Sequence, residues 1–232
     1  MGIEFDERDS GSAYVERVWR GRSDGVDRMT SIATAHWTLV AWREGRAWRV
    51  AVQGPETAAT TAPVPTETEF VGIRLTLGTT LAALPIGRLV DDGAEFADVS
   101  RRSVRILGHT LPLPEYDDAE DLVRRLVRAG VVVRDPLVAD VLRGWQPDVT
   151  ARTVRRHFAQ VIGMTPGTVR QIERARAAAA LIRAGSPIAD VGHDLGYYDQ
   201  PHLARSLERF IGHTATALRT GTAGQLSLLY KT

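Results

Sequence analysis

The reading of the chain turns on PIADVGHDLGYYDQPHLARSLERFIG, residues Pro187 to Gly212. Ile188, Val191 and Leu195 recur at helical spacing and line one face of a short helix. Gly196 follows, at a point where a tight turn needs positive φ. After Tyr197, Asp199 is a residue type that caps a helix start, and the next helix carries an apolar face on Leu203, Leu207 and Phe210. Two short helices joined by a glycine turn, the second with polar side chains outward, form the helix-turn-helix pattern. The outward positions early in that second helix are Gln200, His202 and Arg205, with Arg209 a turn later.

A related arrangement lies upstream, and the two read as a diverged repeat. Asp135–Arg143 forms a helix through Leu137, Val138, Val141 and Leu142, and a turn at GWQPDV leads into TARTVRRHFAQVI, residues 150–162. The apolar stripe there is Val154, Phe158 and Ile162, which turns Arg152, Arg155 and Arg156 away from the core. The units end alike, in FAQVIGMTP and LERFIGHTA. Between them an Ala- and Arg-rich helix runs from about Thr168 to Ala184 and stops at Gly185. Thr165–Pro166 and Ser186–Pro187 each pair a capping hydroxyl with a proline at the first helical position. Arginine reads the O6/N7 edge of guanine and Gln the N6/N7 edge of adenine, each pair giving about 1–3 kcal/mol of discrimination. Arg209, Thr150 and the N–H groups at the helix starts suit phosphate, which positions a protein without reading sequence.

Residues 134–219 resemble the DNA-binding domain of the AraC/XylS family of bacterial transcription regulators. The matching positions are Arg174, Ala178, Leu181–Ile182, Ile188–Ala189–Asp190–Val191, Gly196–Tyr197, His202–Leu203 and Gly212. The resemblance implies two helix-turn-helix units joined by the long helix, each placing its second helix in the major groove, with neighbouring groove segments roughly 10 base pairs apart. It assigns Arg152, Arg155 and Arg156 to the first reading helix and Gln200, His202 and Arg205 to the second. His202 is equally suited to packing or capping at the helix start. The sequence departs from the family pattern in the longer first turn with Pro147, in Pro201 after Gln200, and in Ala215 where a proline is usual.

Up to about residue 110 the pattern is that of strands. Ala35–Arg43 and Trp48–Val52 flank a Glu44–Gly45 turn and read as a hairpin. Phe70–Leu77 alternates, with Val71, Ile73, Leu75 and Leu77 on one face and Phe70, Gly72, Arg74 and Thr76 on the other; Val104–Leu107 is a further strand. Residues 54–69 read as a loop. Asp117–Ala129 is a helix on Leu122, Leu126 and Ala129, acidic at its start, basic at its end and stopped by Gly130. The expected fold class is α+β in two domains, a β-rich barrel or sandwich followed by an all-α double helix-turn-helix domain. The divisions are residues 1–130, 131–220 and a tail at 221–232. Many members of the resembled family carry a cupin-like β-rich sensor, and residues 69–85 and 118–130 resemble those of regulators with a compact sensor. Trp37, Trp42, Trp48, Phe70 and Arg74 are the candidate lining of a ligand pocket, although aromatics on strands more often fill a core.

The net charge of +1 conceals a split: residues 1–130 carry 16 Arg against 20 Asp and Glu, and residues 131–232 carry 13 Lys and Arg against 8 Asp and Glu. A basic module beside an acidic one suits a polyanion partner for the first and another task for the second. The absence of cysteine excludes disulfides, thiolate metal sites and a cysteine nucleophile. His36 and His109, the histidines of the N-terminal half, do not make a metal-ligand cluster, and neither metal nor cofactor is expected. No phosphate loop, serine elbow or carboxylate pair is readable, so an enzyme is not expected. Without an apolar leader or spanning segment, the chain is expected to be cytoplasmic, with no membrane partner. The resulting expectation is a transcription regulator whose partners are double-stranded DNA, a small-molecule effector at the N-terminal domain and RNA polymerase, acting as a monomer or homodimer. Two alternatives stay open: a ligand-free regulator whose N-terminal domain only dimerises or binds a partner protein, and an enzyme with a β-barrel catalytic domain.

Overall fold

A computed structural model describes residues 2–25, 28–64, 67–84 and 86–222; the expected tail lies outside them from residue 223 onward. The first half is built of β1 (Gly2–Asp9), β2 (Val15–Asp24), β3 (Arg28–Ser31), β4 (Thr38–Glu44), β5 (Ala47–Gln53), β6 (Thr60–Pro63), β7 (Glu69–Leu75) and β8 (Thr79–Leu81). A short α1 (Ile86–Leu89) follows, then β9 (Gly93–Glu95), β10 (Ser103–Ile106), β11 (His109–Pro112), α2 (Ala119–Arg128) and β12 (Val132–Arg134). The second half is helical: α3 (Pro136–Leu142), α4 (Ala151–Val161), α5 (Pro166–Arg183), α6 (Ile188–Asp194), α7 (Gln200–Ile211) and α8 (Ala215–Thr220).

Six strands make one antiparallel sheet in the order β1-β2-β7-β4-β5-β9. The expected hairpin is β4–β5, turning at Gly45 (φ +60°) and setting Leu39 against Val52 and Ala41 against Val50. Those residues, with Val18, Ile73 and Leu75, form the inner face, which α2 covers with Leu122, Val123 and Leu126. The alternation read over residues 70–77 therefore holds within β7, while Leu77, beyond the strand's end, packs against the helical cluster. No ladder joins β1 to β9 among the described residues.

The apolar interior divides into two clusters, and the division does not follow the halves of the chain. Val131 and Val132 belong with the sheet, since β12 pairs with β8 (Val132 opposite Leu81). Ile32, Ala33 and Ala35, from the segment between β3 and β4, belong with the helices, in the cluster that holds Phe158, Ile172, Leu207 and Phe210. A piece of the strand-rich half is thus part of the helical core.

Candidate nucleic-acid interface

Each unit of the helical half is assembled from local capping and one apolar stripe. In the first, Asp135 caps α3 by accepting from Val138 N at 3.1 Å, and its second carboxylate oxygen lies 2.6 Å from His157 Nδ1 on α4. His157 thereby fastens α4 to the start of α3. Thr150 caps α4, its Oγ1 accepting from Thr153 N at 3.2 Å. Phe158, Val161 and Ile162 are buried beneath α4 and Val154 is half-buried, so the helical period leaves Arg152, Arg155 and Arg156 exposed on the opposite side. None of the three makes an ion pair among the described residues, which keeps their guanidinium forks available for an anionic or acceptor-rich surface.

The connecting helix α5 buries Val169, Ile172, Ala175, Ala178, Ala179 and Ile182. Three alanines on the buried face allow close approach of the flanking helices. Thr165 caps it as expected, accepting from Thr168 N at 3.1 Å, with Pro166 in its first turn. Arg174 stacks its guanidinium 4.4 Å from the centre of the Tyr197 ring and donates to Gly196 O at 3.3 Å. That contact holds the glycine turn of the second unit against α5.

In the second unit Gly196 adopts φ +68°, as the turn requires. Asp199 caps α7, accepting from His202 N at 2.7 Å, while Leu203, Leu207, Phe210 and Ile211 are buried. Tyr197 is buried with its hydroxyl 3.2 Å from Ser206 Oγ. Gln200, Arg205 and Arg209 are exposed along α7. His202 is half-buried: its Nδ1 accepts from Tyr198 N at 3.4 Å and its ring meets that of Tyr197 edge-on at 5.2 Å. Its ring is therefore engaged in holding the turn, with Nε2 as the nitrogen left to face a ligand. Ser186 does not cap α6; Pro187 occupies the N-cap position, and no side-chain cap bond forms.

The helical half thus places two exposed, basic helix faces on a common scaffold. A scan against family models matches residues 148–221 to a helix-turn-helix domain. Residues 148–221 are an AraC-type helix-turn-helix domain. That domain is of a DNA-binding type, and a strand-rich region precedes it. The match opens just before α4, so α3, the first helix of the upstream unit, lies outside it. Comparison with curated proteins and with solved structures finds no match. No described helix is long and apolar enough to cross a membrane.

The five candidate pocket residues of the strand-rich region are dispersed. Trp37 is fully buried, and its Nε1 donates to Val161 O of the AraC-type domain at 3.0 Å. Trp48 packs at the margin of the inner sheet face. Trp42 and Phe70 lie opposite each other on β4 and β7, on the outer face. There Phe70, Trp19 and Phe5 meet with ring centres 6.3–6.4 Å apart, and the Trp19 ring lies across Gly72, where any Cβ would collide with it at 1.9 Å.

Arg74 is buried on the same side as Phe70 and donates from Nη1 to Glu16 Oε2 at 3.4 Å. Burial pushes its guanidinium down to about 10, with Arg176 adding to that and Glu16 opposing it. Burial pushes the Glu16 carboxyl up, but His36, Arg74 and Arg176 together hold it below its ordinary value. His36, wholly buried with Nδ1 2.9 Å from Leu75 O, is held below its ordinary value by burial, which outweighs Glu16. A cleft of about 510 Å³ lies elsewhere, between Ser10–Tyr14 and α2, lined by Asp117, Glu120, Asp121 and Arg124. No three His, Cys, Asp or Glu side chains among the described residues are grouped so as to hold a metal ion.

Proposed function

We propose that the chain is a one-component transcription regulator that reads two neighbouring major-groove segments of duplex DNA. Arg152, Arg155 and Arg156 read from α4, and Gln200 and Arg205 from α7, with His202 contributing through Nε2. Thr150 and Arg209 sit beside the reading faces and meet phosphate. The observation that carries this reading is the exposure of the α4 and α7 polar faces while their apolar faces share one buried cluster around α5. Arginines facing major-groove guanine supply base discrimination, and phosphate neutralisation supplies affinity that falls with salt.

For the strand-rich half we infer a regulatory input, in which a small-molecule effector alters the DNA-competent population or contact with RNA polymerase. A ligand-free role, in dimerisation or in binding a partner protein, is favoured by one observation: Phe5, Trp19 and Phe70 fill the outer sheet face against one another instead of framing a cavity. The reading is tested by selecting bound duplexes from a random pool with the full chain, with Arg155→Ala and with Gln200→Ala at one salt concentration. Two short motifs about 10 base pairs apart, each relaxed by one substitution, support it. Binding that is blind to sequence in all three proteins refutes it.

A further inference from the structure

The last carbonyls of an α-helix have no partner within the helix and must find one elsewhere. In α7, Arg209 O accepts from Ala59 N and Phe210 O from Ala33 N, both at 2.8 Å. In α4 the final carbonyl, Val161 O, accepts from Trp37 Nε1 at 3.0 Å. All three donors belong to the strand-rich half. Between them Arg176 of α5, itself buried, donates from Nη1 to Ala33 O at 3.3 Å. One stretch, residues 32–37, therefore touches the ends of both reading helices and the middle of the helix that joins them. Ile32, Ala33 and Ala35 add their side chains to the same buried cluster.

Two neighbouring contacts reinforce the attachment. Thr30 Oγ1 lies 3.1 Å from His213 Nε2, just past the end of α7. Gly163, just past the end of α4, packs so close to α1 that a Cβ would stand 2.2 Å from Val90 Cγ2. None of these contacts covers Arg152, Arg155, Arg156, Gln200 or Arg205, which are exposed in the intact chain. The strand-rich half grips the reading helices from behind, at their C-terminal ends.

We propose that residues Ile32–Trp37 act as a brace that fixes the relative placement of α4 and α7, so that the strand-rich half, and not α5 alone, sets the spacing between the two DNA segments the protein accepts. Trp37 and Arg176 are the positioning residues. Moving α4 relative to α7 separates Val161 O from Trp37 or Phe210 O from Ala33, and each loss leaves a buried polar group without its partner. A change of shape in the strand-rich half would reach both reading helices through this one segment. The inference rests on the DNA-reading proposal above.

The test compares full-length wild type with Trp37→Phe, which keeps an aromatic ring and removes the donor, and with Arg176→Met. Thr30→Val, a milder change at a half-buried position, keeps the test available if either buried substitution prevents folding. Affinity is measured at fixed salt on the selected duplex, on the same duplex with one base pair inserted between its two motifs, and on a duplex with one motif scrambled. An inserted pair turns the second motif by about 35°, and wild type is expected to lose about 10- to 100-fold as one helix gives up its base contacts. In the variants that insertion penalty should shrink by about fivefold or more, while affinity for the half-scrambled duplex changes by less than about twofold. A merely structural role weakens binding to all three duplexes by the same factor, and that result, or an unchanged insertion penalty, overturns the brace. If wild type selects no paired motif at all, the DNA-reading proposal fails first.

Discussion

Glu56→Gln should stabilise the protein at alkaline pH and leave it nearly unchanged in mild acid. Glu56 lies against the bracing segment: its backbone exchanges hydrogen bonds with Thr34 at 2.8 and 3.0 Å, and its carboxylate accepts from Ser31 Oγ at 2.9 and 2.8 Å. Burial raises its pKa from the ordinary 4.5 to about 7; Asp91 adds to the rise, while Ser31 and Arg176 oppose it. An acid whose folded pKa exceeds its unfolded one binds the extra proton in the folded state between those values. Stability therefore falls as pH rises from 4.5 to about 7, and the loss is complete above that window. At about 1.4 kcal/mol per unit the full shift corresponds to about 3 kcal/mol, and partial exposure of the side chain reduces this to about 1–3 kcal/mol.

Glutamine keeps an acceptor for Ser31 and has no charge to bury. Urea unfolding should therefore show the variant more stable than wild type by about 1–3 kcal/mol near pH 8, and within about 0.5 kcal/mol of it near pH 4.5. His36 acts in the opposite sense. Its pKa is lowered from the ordinary 6.5, so its contribution is present above that value and is lost as pH falls below it. That contribution is common to both proteins and cancels in the difference. Equal stability differences at the two pH values would refute the reasoning, because a difference independent of pH cannot come from the charge.

Gly163→Ala should destabilise the fold by about 1–3 kcal/mol, since φ is +76° and the new Cβ meets Val90 at 2.2 Å; an unchanged thermal midpoint would contradict the tight seat of α4 on α1. Asp199→Ala removes the α7 cap and should cost about 1 kcal/mol, whereas Asp199→Asn should restore most of it in the same unfolding assay. Arg209→Ala should weaken binding alike on all sequences and lower the slope of log affinity against log salt by about 1, while Arg155→Ala should relax the preference at one base position.

The helical half was legible because its signals are local. Asp199, Gly196, Thr165 and the Leu203–Leu207–Phe210 stripe each act within one turn of their own position, and the structure places each as read. The β4–β5 hairpin was legible for the same reason. The register of β1 with β2 was not, because its cross-strand pairs are charged: Arg17 meets Asp9 and Arg20 meets Asp6, both at 2.8 Å, so the strands show no clean apolar alternation. The brace left even less trace. Trp37 lies 124 residues from Val161 in the chain, and nothing in an apolar run on a strand tells whether its ring fills its own sheet or reaches another cluster. Arg176 was hidden in an Arg- and Ala-rich helix, where a buried arginine looks like its exposed neighbours until the carbonyl it serves is known.

The central claim, that α4 and α7 together read two major-groove segments, is tested most directly by methylation interference on the selected duplex with the full-length protein. Methyl groups at guanine N7 stand in the major groove at the atoms arginine reads. Two clusters of interfering guanines on one face of the duplex, centred about 10 base pairs apart, are the predicted result. A single cluster, or interference confined to the minor groove, would contradict it.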